Sequence, residues 1–329
     1  MFEWERLMRG WIGDGLLPGA AVDIRHEKFH YRTSFGNSRA DTIYDLASLT
    51  KVTATLPGLL ILAQREALKF SDRVSRYIPE FRYDAAVTIL HLLTHTSGLP
   101  ADLPYAPRNA SRDVLALILD QQPLSEPGTR MVYSDLGMIL LGEIVQRVSG
   151  QRLDRFLTEQ VFQPLGMKET MFRPPPALRD RIAPTEYVDG EPVQGEVHDE
   201  KSVQMGGICG SAGLFSTAAD MSTYAEAWLH PEEQTVLPAD LMKQSVRHLG
   251  HGRALGWEVY GLSPPVGCGT RWSPGTFGHT GFTGTSIWID PVKRVSAVVF
   301  SNAVHFGRDN RIRKLRPGMH DAIFASLFD

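Results

Sequence analysis

Cysteine is nearly absent from this chain of 329 residues: only Cys209 and Cys268 occur. Two cysteines exclude the dense disulfide framework of small secreted domains, and both are expected to be buried, inert thiols. Long apolar runs are missing as well. The stretch "LPGLLILA" at 56–63 is too short to span a bilayer and contains Pro57, so no integral membrane segment is expected. There is no basic block and no acidic tail. With 37 acidic against 34 basic residues the net charge is −3, which argues against nucleic acid as a partner. The N-terminus, "MFEWERLMRGWIGDG", lacks the continuous apolar centre and small-residue cleavage site of a secretory signal. A cytoplasmic location is therefore expected unless a leader has been removed. No Gly-rich phosphate loop and no dinucleotide fingerprint occur, so no cofactor is expected. His91 and His95 are four apart, but Leu92 stands where a catalytic zinc helix needs glutamate. Both histidines are read as structural, and no metal is expected.

What remains is the composition of a folded protein, 43% hydrophobic and 22% charged. Residues 2–14 have the spacing of an amphipathic helix closed by Gly15. Residues 20–26 and 28–36 read as two strands joined by a tight turn. Residues 48–66 read as one long, buried, apolar helix, with Pro57 as a possible kink. Helical patterns at 88–95, 112–120, 135–149 and 152–160 follow, separated by Pro- and Gly-rich loops. Strand signals return at 256–261, 285–290 and 294–302, before a closing helix over 310–328 with Pro317 near its first turn. Strands at both ends of the chain can share one antiparallel sheet. The fold class expected is α+β: a discontinuous sheet domain (1–71 and 201–329) with an inserted all-helical domain (72–200).

Lysine is scarce, at eight residues, yet Lys51 stands in the apolar run "ASLTKVTAT", three positions after Ser48. On a helix that spacing puts both side chains on one face. Asp45 is placed to cap the helix and set Ser48 in its first turn, where the Ser48 N–H is unpaired and able to stabilise an oxyanion. A free lysine titrates near 10.4, so at pH 7 roughly one in 2,500 carries the neutral amine that accepts a proton. Burial and the helix terminus would have to supply about 4 kcal/mol to bring it to ~7–8. The plain alternative is a chance Ser-x-x-Lys on a solvated helix face.

Two more stretches bear on the choice. In "MVYSDLGMILLGEIV", Tyr133 precedes a helix whose turn carries Ser134 and Asp135. A buried tyrosine beside a lysine can share its proton; the alternative is a core tyrosine with a helix cap after it. In "FGHTGFTGTSIWIDP", Gly281 after His279 and Thr280 lets a substrate approach the backbone, and leaves the Phe282 N–H free for a carbonyl oxygen. The alternative is a Gly-rich hairpin with an exposed histidine. "GSAG" at 210–213 nearly mimics a nucleophile elbow, but Cys209 occupies its first glycine position, so Ser211 is a poor nucleophile. Trp257, Trp272 and Trp288 are candidates for a cleft or for the core.

"SLTK", "YSD" and "HTG", in this order, resemble the three signature elements of the serine β-lactamase and penicillin-binding-protein superfamily. "LLTHTSGLP", "GGICGSAGLFSTAADMSTYAEAWL" and "SNAVHF" extend the resemblance to class C β-lactamase-like hydrolases, including their esterase members, over nearly the whole chain. The resemblance implies a β-lactamase/transpeptidase-like fold with Ser48 as acyl-accepting nucleophile, Lys51 as its proton acceptor and Tyr133 as relay. It implies an oxyanion hole from the N–H groups of Ser48 and Phe282, and substrate contacts from Asp135, His279, Thr280 and Gly281.

Two positions depart from the pattern. Asp135 replaces asparagine, and a carboxylate about 4 Å from Lys51 would favour the ammonium by up to ~4 kcal/mol at an effective dielectric of 20. Asp135 then points away, or is protonated, or Lys51 stays charged while Tyr133 acts as the base; the last is the reading favoured. His279 replaces a lysine and offers only a pH-dependent cation to a substrate carboxylate. The expectation is therefore a serine hydrolase of esters or related acyl compounds. D,D-carboxypeptidase or β-lactamase action are the alternatives, and a non-turnover ligand-sensing module is the rival from another class. The partner expected is a small molecule: an ester, a β-lactam or a D-amino-acid peptide.

Overall fold

The computed structural model describes residues 1–27, 29–82, 86–247, 249–250, 253–261 and 267–329. Its strands are β1 (Gly19–His26), β2 (Phe29–Gly36), β3 (Ile43–Asp45), β4 (Met171–Phe172), β5 (Tyr187–Val188), β6 (Glu191–Pro192), β7 (Leu214–Thr217), β8 (Glu258–Val259), β9 (Phe277–Thr280), β10 (Ser286–Asp290) and β11 (Val295–Ser301). Its α-helices are α1 (Glu3–Gly13), α2 (Leu56–Gln64), α3 (Ile89–Leu93), α4 (Val114–Leu119), α5 (Asp135–Ser149), α6 (Leu153–Leu157), α7 (Glu200–Gln204), α8 (Ala218–Leu229), α9 (Ala239–Ser245) and α10 (Ile312–Phe328). The expected strand at 28–36 is β2; residue 28 itself lies outside the described residues.

Strands from both ends of the chain build one six-stranded antiparallel sheet, in the order β2-β1-β11-β10-β9-β8. Side chains alternate across it. Val22, Trp288, Ala297 and Val299 pack with Trp4 and Met8 of α1 and with Met319 and Ile323 of α10. Ile287, Ile289, Val298 and Phe300 turn the other way, into the cluster that holds Leu59 of α2, Ile144 of α5 and Tyr224 of α8. Both faces being covered, β11 reads "VSAVVFS" with little polar alternation. Gly278 faces Trp288 across the β9–β10 ladder, and a Cβ there would lie 2.3 Å from the indole.

The inserted segment carries α3 to α6, yet it is not all-helical. It also supplies β4, which pairs with β7 in a second sheet of order β3-β7-β4, and the β5–β6 hairpin. Two-residue strands have no period to read in a sequence. The main apolar cluster runs continuously through this segment and the rest of the chain.

The helix expected over 48–66 divides into three registers: a 3₁₀ turn (Ala47–Leu49), a π-helical stretch (Lys51–Thr55) and α2. Pro57 explains the middle one. In the wide turn the Leu56 N–H bonds to Lys51 O instead of Val52 O, and Pro57 has no N–H to offer. Val52 O is satisfied from outside, by the hydroxyl of Tyr224 on α8. α10 runs straight through Pro317. Among the described residues no helix is long and apolar enough to cross a membrane.

Candidate active site

Ser48 lies where β3 turns into the helix. Asp45, at the end of β3, is buried and holds both sides of the turn: its carboxylate accepts the N–H of Ala47 at 2.8 Å and of His198 at 2.6 Å. Ala47 has φ 47°, a left-handed conformation that costs a non-glycine residue of order 1–3 kcal/mol. Two hydroxyls hold the backbone there. Thr283 donates to Asp45 O at 2.8 Å and Thr285 to Leu46 O at 3.1 Å.

Lys51 is fully buried one turn on. Its Nζ donates to Ser48 Oγ at 2.9 Å and to Ser211 O at 2.9 Å, and lies 2.8 Å from Asp135 Oδ1. Burial pulls this ammonium down, but the Asp135 carboxylate and the Tyr133 hydroxyl outweigh burial and hold it above the ordinary lysine range. The downward shift toward neutrality expected from burial is therefore not found. Asp135 faces Lys51, so the arrangement in which it points away is not found, and the closeness of its carboxylate favours the charged lysine.

Tyr133 precedes α5, whose N-cap is Ser134: its Oγ accepts from Gly137 N at 3.3 Å and donates to Pro100 O at 2.6 Å. The cap and the expected site residue are thus neighbours with separate tasks. The Tyr133 ring is enclosed. The His95 ring lies 4.6 Å from it at a tilt of 39°, the Arg253 guanidinium 5.1 Å from its centre, Lys51 Nζ 5.2 Å, and His279 6.0 Å. His95 accepts the Ser134 N–H at Nδ1, at 3.1 Å, so its proton sits on Nε2. His91 has a different place, in a capping box with Thr88.

The β9–β10 turn closes the other side. His279 is buried and its Nδ1 donates to Thr280 O at 2.9 Å, leaving Nε2 as an acceptor. Burial first, then Arg253 and Lys51, push its pKa well below 6.5. It is a neutral imidazole near pH 7, not the pH-dependent cation expected. Gly281 touches the nucleophile turn so closely that a Cβ would sit 2.5 Å from Leu46 O and 2.1 Å from Thr285 Oγ1. Phe282, next in the chain, lines the same cleft as Ser48, and its N–H has no partner among the described residues. Ser211 is buried and serves through its carbonyl; Trp257, Trp272 and Trp288 are all core. Cys209 and Cys268 are buried free thiols.

A cleft of about 740 Å³ opens over these groups, lined by Ser48, Tyr133, Asp135, His279, Thr280, Gly281 and Phe282. It also exposes residues that sequence reasoning missed. Lys201 of α7 lies 2.9 Å from Asp199, 3.0 Å from Asp102 and 3.6 Å from Asp135. Arg253 lies 3.6 Å from Glu258, with its Nη1 buried and without a partner among the described residues. Arg316 of α10 is buried, donates to Gly281 O at 3.2 Å and has an unpartnered Nε. Burial pulls its guanidinium down to about 10, which leaves it charged at neutral pH. None of these has a local spacing to announce it. Only His95 lay in a stretch, "LLTHTSGLP", that the resemblance had marked.

The arrangement sets a lysine ammonium on a serine hydroxyl, with a tyrosine and N–H donors that have no partner among the described residues around them. A family model described as Beta-lactamase matches residues 4–317. Among curated proteins, a "Putative D-alanyl-D-alanine carboxypeptidase" of Salmonella schwarzengrund (strain CVM19633) is 33% identical over 309 residues, covering 80% of this chain and 70% of that one. Among solved structures, the octameric penicillin-binding protein homologue from Pyrococcus abyssi superposes with TM-score 0.78 at 21% identity, over 99% of this chain and 76% of that one. EstCE1, a hydrolase with promiscuous acyltransferase activity, superposes with TM-score 0.74 at 21% identity, over 96% and 97%.

Proposed function

The chain belongs to the β-lactamase family, and from that premise we propose that it transfers an acyl group to Ser48 from substrates whose leaving group carries a carboxylate. Peptides ending in D-alanyl-D-alanine are the class that fits best. The observation that carries the reading is the contact of Lys51 Nζ with Ser48 Oγ at 2.9 Å, at the floor of a cleft whose wall holds two guanidiniums with unpartnered N–H groups.

Ser48 Oγ attacks the substrate carbonyl and its proton passes to the phenolate form of Tyr133. Lys51 remains an ammonium throughout, held by Asp135. Lys51 and Arg253 flank the Tyr133 ring, 5.2 and 5.1 Å from its centre, so both cations lie next to this base. The N–H groups of Ser48 and Phe282 bind the oxyanion, where one donor is typically worth ~10²–10³ in rate. Tyr133 then gives its proton to the departing amine or alkoxide. In the second half a water attacks the acyl carbon, loses its proton to Tyr133, and Ser48 is released as its oxygen recovers that proton. Arg253 and Arg316 hold the carboxylate of the leaving group, a task His279 cannot perform as a neutral ring.

The test is mass spectrometry after benzylpenicillin or a serine-reactive phosphonate, repeated on Ser48→Ala. An adduct on Ser48 that is absent from the variant supports acyl transfer; an adduct elsewhere sinks it. Turnover of a D-alanyl-D-alanine peptide against its C-terminal amide tests the leaving group. A second reading, simple carboxylic ester hydrolysis, is favoured by the exposed Tyr105 and Phe282 at the cleft and by the neutral His279. Ester cleavage with no preference for a carboxylate would select it. A burst of one equivalent without turnover would select a sensor.

A further inference from the structure

The Asp135 carboxylate is shared between two ammoniums. One oxygen lies 2.8 Å from Lys51, which touches Ser48; the other lies 3.6 Å from Lys201, which touches nothing that reacts. Lys201 is itself buried, on α7, and anchored by Asp199 at that helix's N-cap and by Asp102 from the loop ahead of α4. The five groups form one network of two cations and three carboxylates reaching to the nucleophile. A structural ion pair for α7 needs only Asp199 and Asp102. The third contact, to Asp135, is the one that faces the reacting groups.

We propose that Lys201 is a positioning residue that acts on the nucleophile's proton chemistry through Asp135. It draws part of the carboxylate's charge away from Lys51 and so keeps the ammonium beside Ser48 from being locked to Asp135. The inference rests on Ser48 acyl transfer. The groups facing Lys51 are Asp135, Tyr133, Arg253, His95 and His279; those facing Lys201 are Asp102, Asp135 and Asp199. Arg253 is a fixed cation, and burial keeps both histidines neutral near pH 7. Removing a positive charge from such a network raises the pH at which its neighbours lose their protons, whichever of them accepts the serine's. Both limbs of the pH profile therefore move up together.

The experiment is the pH dependence of kcat/KM on p-nitrophenyl acetate for the full chain, with Ser48 labelling by a fluorophosphonate run alongside. Lys201→Met should move both limbs upward by about one pH unit, the low end of what one nearby charge does. Lys201→Arg should keep the wild-type profile. Asp135→Asn should move the limbs down, and Lys201→Met made in that background should move them by less than a third as much. Should Lys201→Met fold poorly with two carboxylates unpaired, Lys201→Met/Asp102→Asn restores the charge balance at that end and is expected to keep an upward shift, smaller than that of Lys201→Met because a negative charge has gone as well. Limbs that stay in place while the rate falls, in either variant, overturn the proposal. So does a shift that persists undiminished in the Asp135→Asn background. If the wild type takes no label on Ser48, the acyl-transfer reading itself has failed, an outcome separate from these and one that removes the proposal's basis.

Discussion

The two walls of the cleft handle charge in opposite ways. On the α5–α7 side, the Lys51 and Lys201 ammoniums are engaged by three carboxylates within 3.6 Å. On the β8–α10 side, Arg253 and Arg316 keep N–H groups that nothing in the described structure accepts, and buried His279 of β9 is held neutral near pH 7. Charges that are matched within the protein set the protonation state of the reacting groups. Charges left with spare donors are available to a ligand, because a buried unpaired donor costs about 1–3 kcal/mol unless a substrate group meets it. The difference assigns proton handling to one wall and anion recognition to the other.

The most severe way to break that comparison is to remove what both walls face. Ser48→Ala should lower kcat by at least ~10³-fold and abolish labelling while thermal stability stays within a few degrees; residual labelling at another residue would show that the cleft is not the reacting centre. Next, Arg316→Gln should raise KM for a D-alanyl-D-alanine peptide by about 10–100-fold, the loss of one charge-assisted contact, and leave its C-terminal amide unaffected, whereas Arg253→Gln should also slow both substrates because Arg253 lies against Tyr133. Equal losses on both substrates for Arg316→Gln would remove it from carboxylate recognition. Gly281→Ala forces a Cβ against Leu46 O and should cost about tenfold in kcat, with a lower melting temperature, by displacing the Phe282 N–H. The smallest effect expected is none: the preference for a carboxylated substrate should be flat from pH 6 to pH 9. His279 stays neutral across that range and Arg316, near 10, stays charged. A rise in preference toward pH 6 would return the anion-binding task to His279.

The paired wall was legible in the sequence apart from Lys201; the other wall was legible in its His279–Phe282 turn but not in its arginines. Ser48 and Lys51 lie one helical turn apart, so a local spacing announced them, and Tyr133 and Asp135 came with the start of a recognisable helix. Lys201, Arg253 and Arg316 reach the site from 150 to 265 residues downstream of Lys51, by long-range packing that has no periodic signature. His95 was read as a structural residue because its only sequence neighbour of interest was His91, whereas its ring partner, Tyr133, is 38 positions away. The fold shows the same division. The long strands and helices of the sheet domain were readable from period and length. β9 was not, because its four residues include a glycine that exists to admit Trp288. The helix at 48–66 was seen as one piece because hydrophobicity does not report a change of hydrogen-bond register.

That change of register works as a spacer. A chain that continued beyond Lys51 in uniform α-geometry would carry α2 into the core at another rotation, while Ser48 and Lys51, which lie ahead of the wide turn, would keep their spacing. The extra width of one turn, wedged by an imino acid and plugged by a phenol from a helix some 170 residues away, sets the angle at which the serine–lysine turn meets α2. Shortening residues 52–55 by one would leave serine and lysine in step with each other and turn the apolar helix behind them away from the partners it packs on.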